Sequence, residues 1–456
     1  MASSYLKRTP SSPGSNTTGT VSAWVKLDYK VDYNCIIGGN EGSSSSDRSL
    51  FSISSDGTIY NQIVDGSTAY TQESNRDLRD PTAWYHIVYQ FDTSNGTQAD
   101  RIKTYVNNEL IDSWSTTAAW PSSVDIKLWD SAASAEYMIG CRKSSSSYQY
   151  FFNGNMAHVH VVDGTIYAPT VFGEVDSTSG IWVPITSPSV TYGTNGGFYK
   201  FASGALGTDS AGSNNMTAVG SMTTALDSPD NNFCKMNPLD NRYLDGTFSN
   251  CDTTVTTNNA TWTTATMQMG SGLWYWEVQP TGTLGGGECL GFIDRPTWAT
   301  SYAPYSYGKG AVVRSGGDLY IDTSNTTDLT PGGGDLWVTS DVIGVYMDLT
   351  ANKVYFAKNG TILNSGTGVA ITAAISTFTN GGYMPIWGSS NTTNTAANFN
   401  FGEGNLGTTA LTGTTYADSN GEGKFKYSPN DGGAASFDSS AKNFLAICTN
   451  NIATGS

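Results

Sequence analysis

The chain contains three histidines, and two of them, His158 and His160, are spaced so that they could act together. Side chains two residues apart on a β-strand share a face, so this pair could present two imidazoles to one metal ion. No carboxylate accompanies them at a diagnostic spacing, and the alternative is a pair of ordinary strand residues. The third, His86, lies in another strand-like segment, and no G-x-S-x-G motif supplies a serine nucleophile. The sequence therefore predicts neither a metal site nor a serine hydrolase triad.

Two segments concentrate aromatic and basic residues in a pattern typical of carbohydrate-binding sites. Sugar rings stack on aromatic faces, and short polar groups bind their hydroxyls. The first segment, RPTWATSYAPYSY, carries the candidate ligand-binding residues Arg295, Trp298, Tyr302, Tyr305 and Tyr307. The second, RKSSSSYQY, carries Arg142, Tyr148 and Tyr150. The alternative for the first segment is that its aromatic residues cover the edge of a sheet.

Composition and charge limit the classes of function. Charged residues make up 14% of the chain and aromatic residues 12%, with 51 glycines. This composition favours many short strands joined by tight turns, and the aromatic content argues against disorder. The net charge of −16 disfavours nucleic acid or an anionic membrane as the partner. The glycine-rich segments 285–288 and 331–335 lack the lysine of a phosphate-binding loop and are interpreted as turns.

The six cysteines do not form a zinc-binding pattern, because none lies in a C-x-x-C or C-x-H spacing. We interpret them as free, semi-buried residues and leave a Cys234–Cys251 bridge as an open alternative. No apolar run is long enough to span a membrane, and the first 15 residues lack the apolar region of a signal peptide. We therefore expect a protein that is made soluble in a cytoplasm.

The hydrophobic pattern predicts an all-β fold with two antiparallel β-sandwiches of jelly-roll type. The strands predicted in the first half are Val21–Leu27, Ile36–Ile37, Leu50–Ile53, Thr58–Val64, Trp84–Phe91, Arg101–Val106, Glu109–Trp114, Tyr137–Cys141 and Gly154–Val162. Those predicted in the second half are Leu273–Gln279, Cys289–Arg295, Ala311–Arg314, Asp318–Ile321, Met384–Trp387, Ala397–Phe401 and a meander over Asp341–Leu363.

The meander is the strongest local signal in the chain. Both faces of its first strand are apolar, which predicts cover on both sides, and Asn359-Gly360 predicts a type I′ hairpin turn. The domain limits predicted from the whole pattern are 1–168, 169–240 for an irregular packed connector, 241–405, and 406–456 for a segment that packs back on a sandwich. Phe172, Trp182 and Phe198 indicate that the connector is packed, because such side chains need burial.

Three segments of the first half, VSAWVK, WYHIVY with KTYVNNELI, and FNGNMAHVHVV, resemble the laminin-G-like, concanavalin A-like lectin sandwich over about residues 20–165. That family includes glucanases, which place an acid and a nucleophile on one strand in an E-x-D-x-x-E pattern. The pattern is absent here, and Glu136 and Glu288 are isolated in the sequence, so we do not expect an enzyme. Laminin-G-like domains often bind calcium at one rim. Four carboxylates could contribute ligands, namely Asp28, Asp32, Asp56 and Asp65, but their spacing defines no ligand set. Calcium binding is therefore left as an open alternative, and no cofactor is assigned.

The second half resembles the SPRY domain. The motifs that carry the resemblance stand in order as Trp274–Val278, Gly291–Ile293, Asp341–Val345, Lys358–Gly360 and Ala397–Gly402. The resemblance implies that Glu277 is a structural residue and that the loops at one end of the sandwich form the binding surface, with the segment 295–307 first among them.

The connector segments DGTIYAPTVFGEVDSTSGIWVP and GTNGGFYKFASGALGTDSAGSNN, and the opening SSYLKRTPSSPGSNTTGTVSAWVK, resemble virion proteins of tailed bacteriophages of marine type. The resemblance implies a virion-surface protein, assembled in the host cytoplasm, that binds host-surface glycan or another receptor as a tail-fibre or spike adhesin. The alternatives are a structural decoration protein of capsid or tail and, less favoured, a glycan hydrolase. Other virion proteins are expected partners, and the expected oligomer is a homotrimer by analogy.

Overall fold

Two β-sandwiches make up the protein. The computed structural model describes residues 4–28, 33–42, 45–132, 134–177, 179–241, 246–257, 261–282, 284, 286–294, 309–330, 334–371, 381–389, 394–430 and 437–454. It divides into two units, residues 1–224 and 225–456. This boundary lies inside the stretch predicted as a connector, and the other predicted domain limits stay predictions.

The first unit is built from short strands, as its turn-rich sequence predicts. They are β1 (Tyr5–Arg8), β2 (Thr18–Leu27), β3 (Asn34–Asn40), β4 (Asp47–Ile53), β5 (Thr58–Asp65), β6 (Thr68–Asp77), β7 (Tyr85–Asp92), β8 (Ile102–Val106), β9 (Glu109–Leu110), β10 (Trp114–Thr116), β11 (Glu136–Ile139), β12 (Arg142–Ser144), β13 (Ser147–Gln149), β14 (Gly154–Asp163), β15 (Gly173–Val175), β16 (Trp182–Pro184), β17 (Gly197–Tyr199) and β18 (Thr217–Val219). Single 3-10 turns lie at Gln98–Asp100 and Pro169–Val171.

Two antiparallel sheets face each other in this unit. The larger has the order β10-β6-β5-β4-β3-β11-β1-β18, and the smaller has the order β17-β14-β2-β7-β8-β9. Phe51 of β4 reaches across the core, with its ring centroid 5.2 Å from that of Tyr89 and 4.9 Å from that of Phe91, both on β7. All three rings are fully buried, so this contact lies at the centre of the sandwich.

The predicted strand Glu109–Trp114 forms only at its start, where Glu109 and Leu110 pair with β8, and its continuation to Trp114 is wrong. Asn107 and Asn108 do make the predicted tight turn, with φ of 49° and 67°, but β9 ends at Leu110. The chain then crosses to the other sheet, where β10 pairs with β6. The crossing allows Trp114 to pack against the core between the sheets, which a strand continuing along β8 would not do.

Residues after β14 cover the outer face of the smaller sheet. Phe172 and Phe198 are buried there, and the indole of Trp182 donates a hydrogen bond to His86 of β7 over 3.0 Å. This arrangement agrees with the prediction that these aromatic residues pack on a sandwich instead of lying in a free linker.

The second unit has the same construction. Its strands are β19 (Met236–Asn241), β20 (Thr247–Ser249), β21 (Thr254–Thr257), β22 (Trp262–Ala265), β23 (Leu273–Gly282), β24 (Glu288–Asp294), β25 (Gly310–Arg314), β26 (Asp318–Ile321), β27 (Ser324–Asp328), β28 (Ile343–Asp348), β29 (Lys353–Lys358), β30 (Thr361–Ile362), β31 (Val369–Ala370), β32 (Tyr383–Ser389), β33 (Thr395–Asn400), β34 (Asn405–Leu406) and β35 (Thr409–Ala410), followed by the helix α1 (Thr449–Thr454). Single 3-10 turns lie at Asn364–Gly366 and Phe437–Ser439.

The two sheets of this unit have the orders β19-β22-β32-β24-β25-β26-β27 and β20-β21-β33-β23-β28-β29-β30, with β31 also paired to β29. The meander therefore lies in the second sheet, as predicted. Asn359 and Gly360 have φ of 49° and 81° and connect β29 to β30, which confirms the predicted hairpin turn.

Both faces of β28 are buried, as its apolar pattern predicts. Ile343, Val345 and Met347 point into the core between the sheets. On the opposite face, the ring of Tyr346 lies 5.0 Å from that of Phe437 and 5.1 Å from that of Phe444. The C-terminal part of the chain thus forms a third layer on this sheet.

Hydrogen bonds attach this third layer to β23. The backbone of Leu445 accepts from the amide of Tyr275 and donates to the carbonyl of Leu273, both over 2.9 Å. The buried carboxylate of Glu277 accepts from the amides of Tyr427 at 2.7 Å and Lys426 at 3.0 Å. It also accepts from the side chains of Asn400 and Tyr275. Glu277 is thus a structural tie between β23 and the third layer.

The described part of the chain holds six free cysteines, of which Cys251 is half-buried and the others are buried. Within that part, no helix has the length and apolar character needed to cross a membrane.

Glu277 makes the stability of the protein depend on pH. Burial raises its pKa to about 7, against the lowering effect of its four hydrogen-bond donors. Because the folded-state pKa lies above the unfolded value, the stabilisation is complete below about pH 4.5 and is lost as pH rises through about 7. We expect the wild type to lose about 3 kcal/mol more unfolding free energy than Glu277→Gln between pH 4.5 and 8, measured by denaturant unfolding of the full chain. Parallel pH profiles would contradict this.

Candidate functional site

The three histidines lie together on the outer face of the smaller sheet of the first unit. His86 stacks on Trp24 with a centroid distance of 4.7 Å, and His160 stacks on Phe198 at 4.0 Å. His158 has a left-handed φ of 48° and lies where the pairing of β14 with β2 shifts register. The histidines are therefore part of the packed layer that covers this face.

Their protonation also indicates a structural role. Nδ1 of His86 accepts the indole N–H of Trp182, so the ring proton is on Nε2, which lies 2.8 Å from the hydroxyl of Ser22. Burial lowers the pKa of His86 to about 3 and that of His158 to about 4. Across the described residues, no set of three or more His, Cys, Asp or Glu side chains is arranged to hold a metal ion.

A lysine occupies the acidic cluster at one rim of this sandwich. The ammonium of Lys127 lies 2.9 Å from Glu41, 3.2 Å from Asp65, 3.7 Å from Asp125 and 3.8 Å from Asp47. Asp65 was one of the carboxylates available for calcium. Its side chain is here an ion-pair partner of Lys127, so a protein cation balances the charge of this cluster.

The other calcium candidates lie apart from this cluster. Asp56 binds the hydroxyls of Ser54 and Thr58 within its own turn. Asp28 is buried beside β2, and Asp32 lies outside the described residues.

The isolated carboxylates have separate partners. Glu136 accepts from Lys7 at 3.0 Å and from Lys143 at 2.7 Å. Glu288 belongs to the second unit, where it accepts from the amide of Gly286 at 3.0 Å. Each carboxylate therefore serves a local structure of its own unit.

The first predicted binding segment lies outside the described residues. It comprises Arg295, Trp298, Tyr302, Tyr305 and Tyr307, whose binding role stays a prediction.

The second predicted segment forms the hairpin β12–β13, which folds over the outer face of the larger sheet. Arg142 lies directly above Gly38 of β3, where a Cβ atom would come within 3.0 Å of the arginine Cβ. The guanidinium carbon of Arg142 is 4.1 Å from the ring centroid of Tyr150, a cation–π contact. Tyr150 has a left-handed φ of 55°, and its carbonyl accepts from the amide of Cys35 at 3.2 Å. The hairpin is thereby fixed to β3.

Two further tyrosines extend this arrangement. Tyr33 lies between Tyr150 and Tyr60 of β5, with a centroid distance of 4.8 Å to each. The amide of Gln62, two residues along β5 from Tyr60, donates to the tyrosine hydroxyl over 3.0 Å. All three tyrosine rings are half-buried, so they present their remaining area to solvent.

Arg48 of β4 completes the surface. On this face of the sheet, Leu50 of β4 pairs with Gly38, and Arg48 lies two residues further along the same strand. It is therefore next to Arg142, whose positive charge lowers the pKa of Arg48 in addition to the effect of burial. We call the surface formed by Tyr33, Tyr60, Tyr150, Arg48 and Arg142 the tyrosine–arginine face.

Tyr148 does not join this face. Its ring stacks on Tyr5 at 4.6 Å, and its hydroxyl donates to Glu136 at 2.8 Å and accepts from Lys7 at 3.1 Å. Successive side chains of β13 point to opposite sides of the hairpin. Gln149 pairs with Arg142 and lies on its side, whereas Tyr148 pairs with Lys143 and lies on the other side. Of the three residues predicted in this segment, the structure brings Arg142 and Tyr150 together and places Tyr148 in a separate ion-pair cluster.

The geometry suits recognition of a polar ring. Half-buried aromatic rings offer flat apolar area, and the amide of Gln149 together with the two guanidinium groups offers hydrogen-bond donors around it. The rings are held by one another and by Arg142, so little conformational entropy remains to be lost on binding.

Two family models match the chain in tandem. Residues 2–172 match the concanavalin A-like lectin/glucanases superfamily, and residues 273–404 match the SPRY domain. The chain thus carries a domain of each kind, in the order that the motifs predict. No curated protein sequence matches the chain.

Solved structures similar to the chain include a SPRY domain, a pentraxin and a CBM40 domain. The SPRY domain of human HERC1 has 16% identity and a TM-score of 0.29, covering 36% of this chain and 96% of its own. The native heptameric SAP-like pentraxin from Limulus polyphemus has 15% identity and a TM-score of 0.29, covering 43% and 88%. The CBM40 of the Ruminococcus gnavus IT-sialidase has 15% identity and a TM-score of 0.27, covering 37% and 94%.

Lys127 is expected to contribute measurably to stability. Lys127→Met leaves four carboxylates without their common cation, and breaking a buried pair of this kind costs about 3–5 kcal/mol. The partner side chains here are between 29% and 47% exposed, so water screens part of the repulsion, and we expect a loss of about 2 kcal/mol in denaturant unfolding.

The matched control is Lys103→Met. Lys103 forms a surface pair with Asp100 at 2.9 Å, and its loss is expected to cost less than about 1 kcal/mol. Equal stability losses in the two variants would show that the acidic cluster does not depend on Lys127.

Proposed function

We propose that the protein is a bacteriophage virion-surface adhesin, of the tail-fibre or spike kind, that binds glycan on the host cell. The observation that supports the binding role is the tyrosine–arginine face, in which the ring of Tyr33 contacts those of Tyr60 and Tyr150 on the outer face of a lectin-like sheet. The virion role is supported by the resemblance of the connector and of the opening segment to virion proteins of tailed phages.

The face provides both kinds of contact that a sugar needs. Tyr33 and Tyr60 offer ring area for the apolar side of a pyranose, and Gln149 offers an amide group for its hydroxyls. Tyr150 is held in a left-handed backbone conformation, which is costly for a bulky residue and is found where surrounding structure fixes a binding side chain. Contacts with Tyr33 and Arg142 hold the ring of Tyr150 in place.

The adhesin is proposed to bind without catalysis. Glycoside hydrolysis requires two carboxylates about 5–10 Å apart on either side of the scissile bond. The acid on the strand next to Tyr60 is Glu73, and its carboxylate accepts from the hydroxyl of Thr58. The structure assigns no second carboxylate to the tyrosine–arginine face among the described residues.

Contacts with other virion proteins form the second candidate function, a decoration of capsid or tail. The hairpin β15–β16 favours it, because Val175 and Ile181 are 61% and 56% exposed on one turn. An exposed apolar pair on a hairpin tip suits a protein contact more than a sugar. Cryo-EM of virions separates the two, since copies at projecting tips support the adhesin and copies tiling a capsid or tube support the decoration. The expected homotrimer would be seen in the same map.

Glycan binding is tested with Tyr60→Ala in the full chain. Loss of one stacking ring is expected to weaken binding about three- to tenfold on a glycan array and to reduce adsorption to host cells. Tyr60→Phe keeps the ring and should retain most of the affinity. Tyr416→Ala removes an exposed tyrosine of the second unit and should leave binding unchanged. Equal binding by all four proteins would contradict a role for the tyrosine–arginine face.

A further inference from the structure

Two arginines of the tyrosine–arginine face lie side by side without a carboxylate partner. Arg142 is only 8% exposed, and its sole hydrogen bond among the described residues is from a terminal nitrogen to the amide oxygen of Gln149 at 3.2 Å. The Nε–H groups of Arg142 and Arg48 are both buried and have no hydrogen-bond partner within the described structure. Two buried donors on neighbouring cationic side chains are thus left unsatisfied within the described structure.

This arrangement is unusual for a chain with 39 acidic and 23 basic residues. Several other cations of the first unit have carboxylate partners, as Lys7, Lys127 and Arg76 show, whereas Arg8 and Arg101 donate to amide or carbonyl oxygens. The acid adjacent to Arg48 in the sequence, Asp47, points to the opposite side of the strand, where it lies near Lys127 and accepts from the amide of Gly66. The fold therefore turns the carboxylate that is adjacent to Arg48 in the sequence away from the arginine pair.

Two adjacent guanidinium groups without an anion destabilise the ligand-free protein. A buried charged group without a hydrogen-bonded partner loses its hydration without compensation, and two adjacent cations repel each other. An anion placed between the two guanidinium groups would satisfy both Nε–H donors and reduce the repulsion. Relief of the lost hydration and of the charge repulsion would make binding of the anion more favourable.

The geometry points to a carboxylate-bearing sugar, of the uronic acid type, as the ligand of the tyrosine–arginine face. We infer that the Nε–H groups of Arg48 and Arg142 bind the carboxylate while the sugar ring stacks on the neighbouring tyrosines. The planar guanidinium matches the planar carboxylate, and Tyr150 beneath Arg142 keeps that plane fixed. The inference rests on the proposed glycan-binding function and adds the chemical class of the glycan.

The test compares acidic glycans with their neutral counterparts on the full chain. The probes are oligogalacturonate and oligoalginate, the same oligosaccharides after reduction of their carboxyl groups, and sulfated oligosaccharides that lack carboxylates. We expect the carboxylated probes to bind at least about tenfold more tightly than the reduced ones, and this preference to decrease with added salt.

Variants assign the preference to the arginine pair. Arg48→Gln should lower affinity for the carboxylated probes about tenfold and affinity for the reduced probes by a clearly smaller factor. Arg48→Lys keeps the charge but not the planar donor pair, and should recover only part of the loss. Arg79→Gln, which changes an 83% exposed arginine, serves as the control. Arg48 is the principal site because Arg142 is more buried and its replacement also affects the packing of the hairpin.

The outcomes separate the two proposals. Equal binding of carboxylated and reduced probes, with both weakened by Tyr60→Ala, would overturn the acidic-ligand inference and leave glycan binding intact. Binding of sulfated probes without carboxylated ones would also overturn it. Absence of binding to every oligosaccharide would overturn the proposed function itself.

Discussion

The packing of Phe51 against Tyr89 and Phe91 across the first sandwich is the contact on which the remaining features of that unit depend. A sheet in a sandwich buries one face against its partner, and the outer face must be solvated or covered by further chain. The smaller sheet is covered by an aromatic and histidine layer. In the second unit, the sheet that contains the meander is covered by the C-terminal aromatic residues. The larger sheet of the first unit instead carries half-buried tyrosines and two arginines on its outer face, and its chemistry is therefore available to a ligand.

The charged residues also differ in whether the fold supplies their partners. Buried acids in this chain are balanced by structure, as Glu277 is by four donors and the rim cluster is by Lys127. Arg48 and Arg142 lack such balance, although acids outnumber bases in the chain. A buried charge with a structural role normally has an oppositely charged partner, and these two arginines have no carboxylate partner among the described residues. Because a carboxylate partner is missing, we infer that an anionic ligand binds at this surface.

Local signals predicted much of the architecture. Tight-turn residues at Asn107-Asn108 and Asn359-Gly360, alternating strands and the ordered motifs were enough to predict two sandwiches in tandem, because these features depend on a few neighbouring residues. The path of Trp114 was predicted wrongly, since its change of sheet is decided by packing with distant residues. The role of Glu277 was implied by resemblance, but three of its four hydrogen-bond partners come from residues 400–427, which no local pattern connects to β23.

The binding surface shows the same limit. Arg142 and Tyr150 were predicted because they stand close together in the sequence. The sequence analysis missed Tyr33, Tyr60 and Arg48. They are brought together by the pairing of β3 with β4 and of β4 with β5, and by the hairpin that folds over them. Alternation along β4 and β5 could have shown that Arg48 and Tyr60 share the outer face, but not that Arg142 would lie beside them.

The central claim is that the two unpartnered Nε–H groups receive the carboxylate of a sugar. NMR of the full chain labelled with ¹⁵N-arginine tests it directly, because each Nε–H group gives its own signal. Titration with oligogalacturonate should shift the signals of Arg48 and Arg142, assigned with the Arg48→Gln variant, while those of Arg76 and Arg79 stay in place. Unchanged signals of Arg48 and Arg142 at saturating ligand would contradict the account.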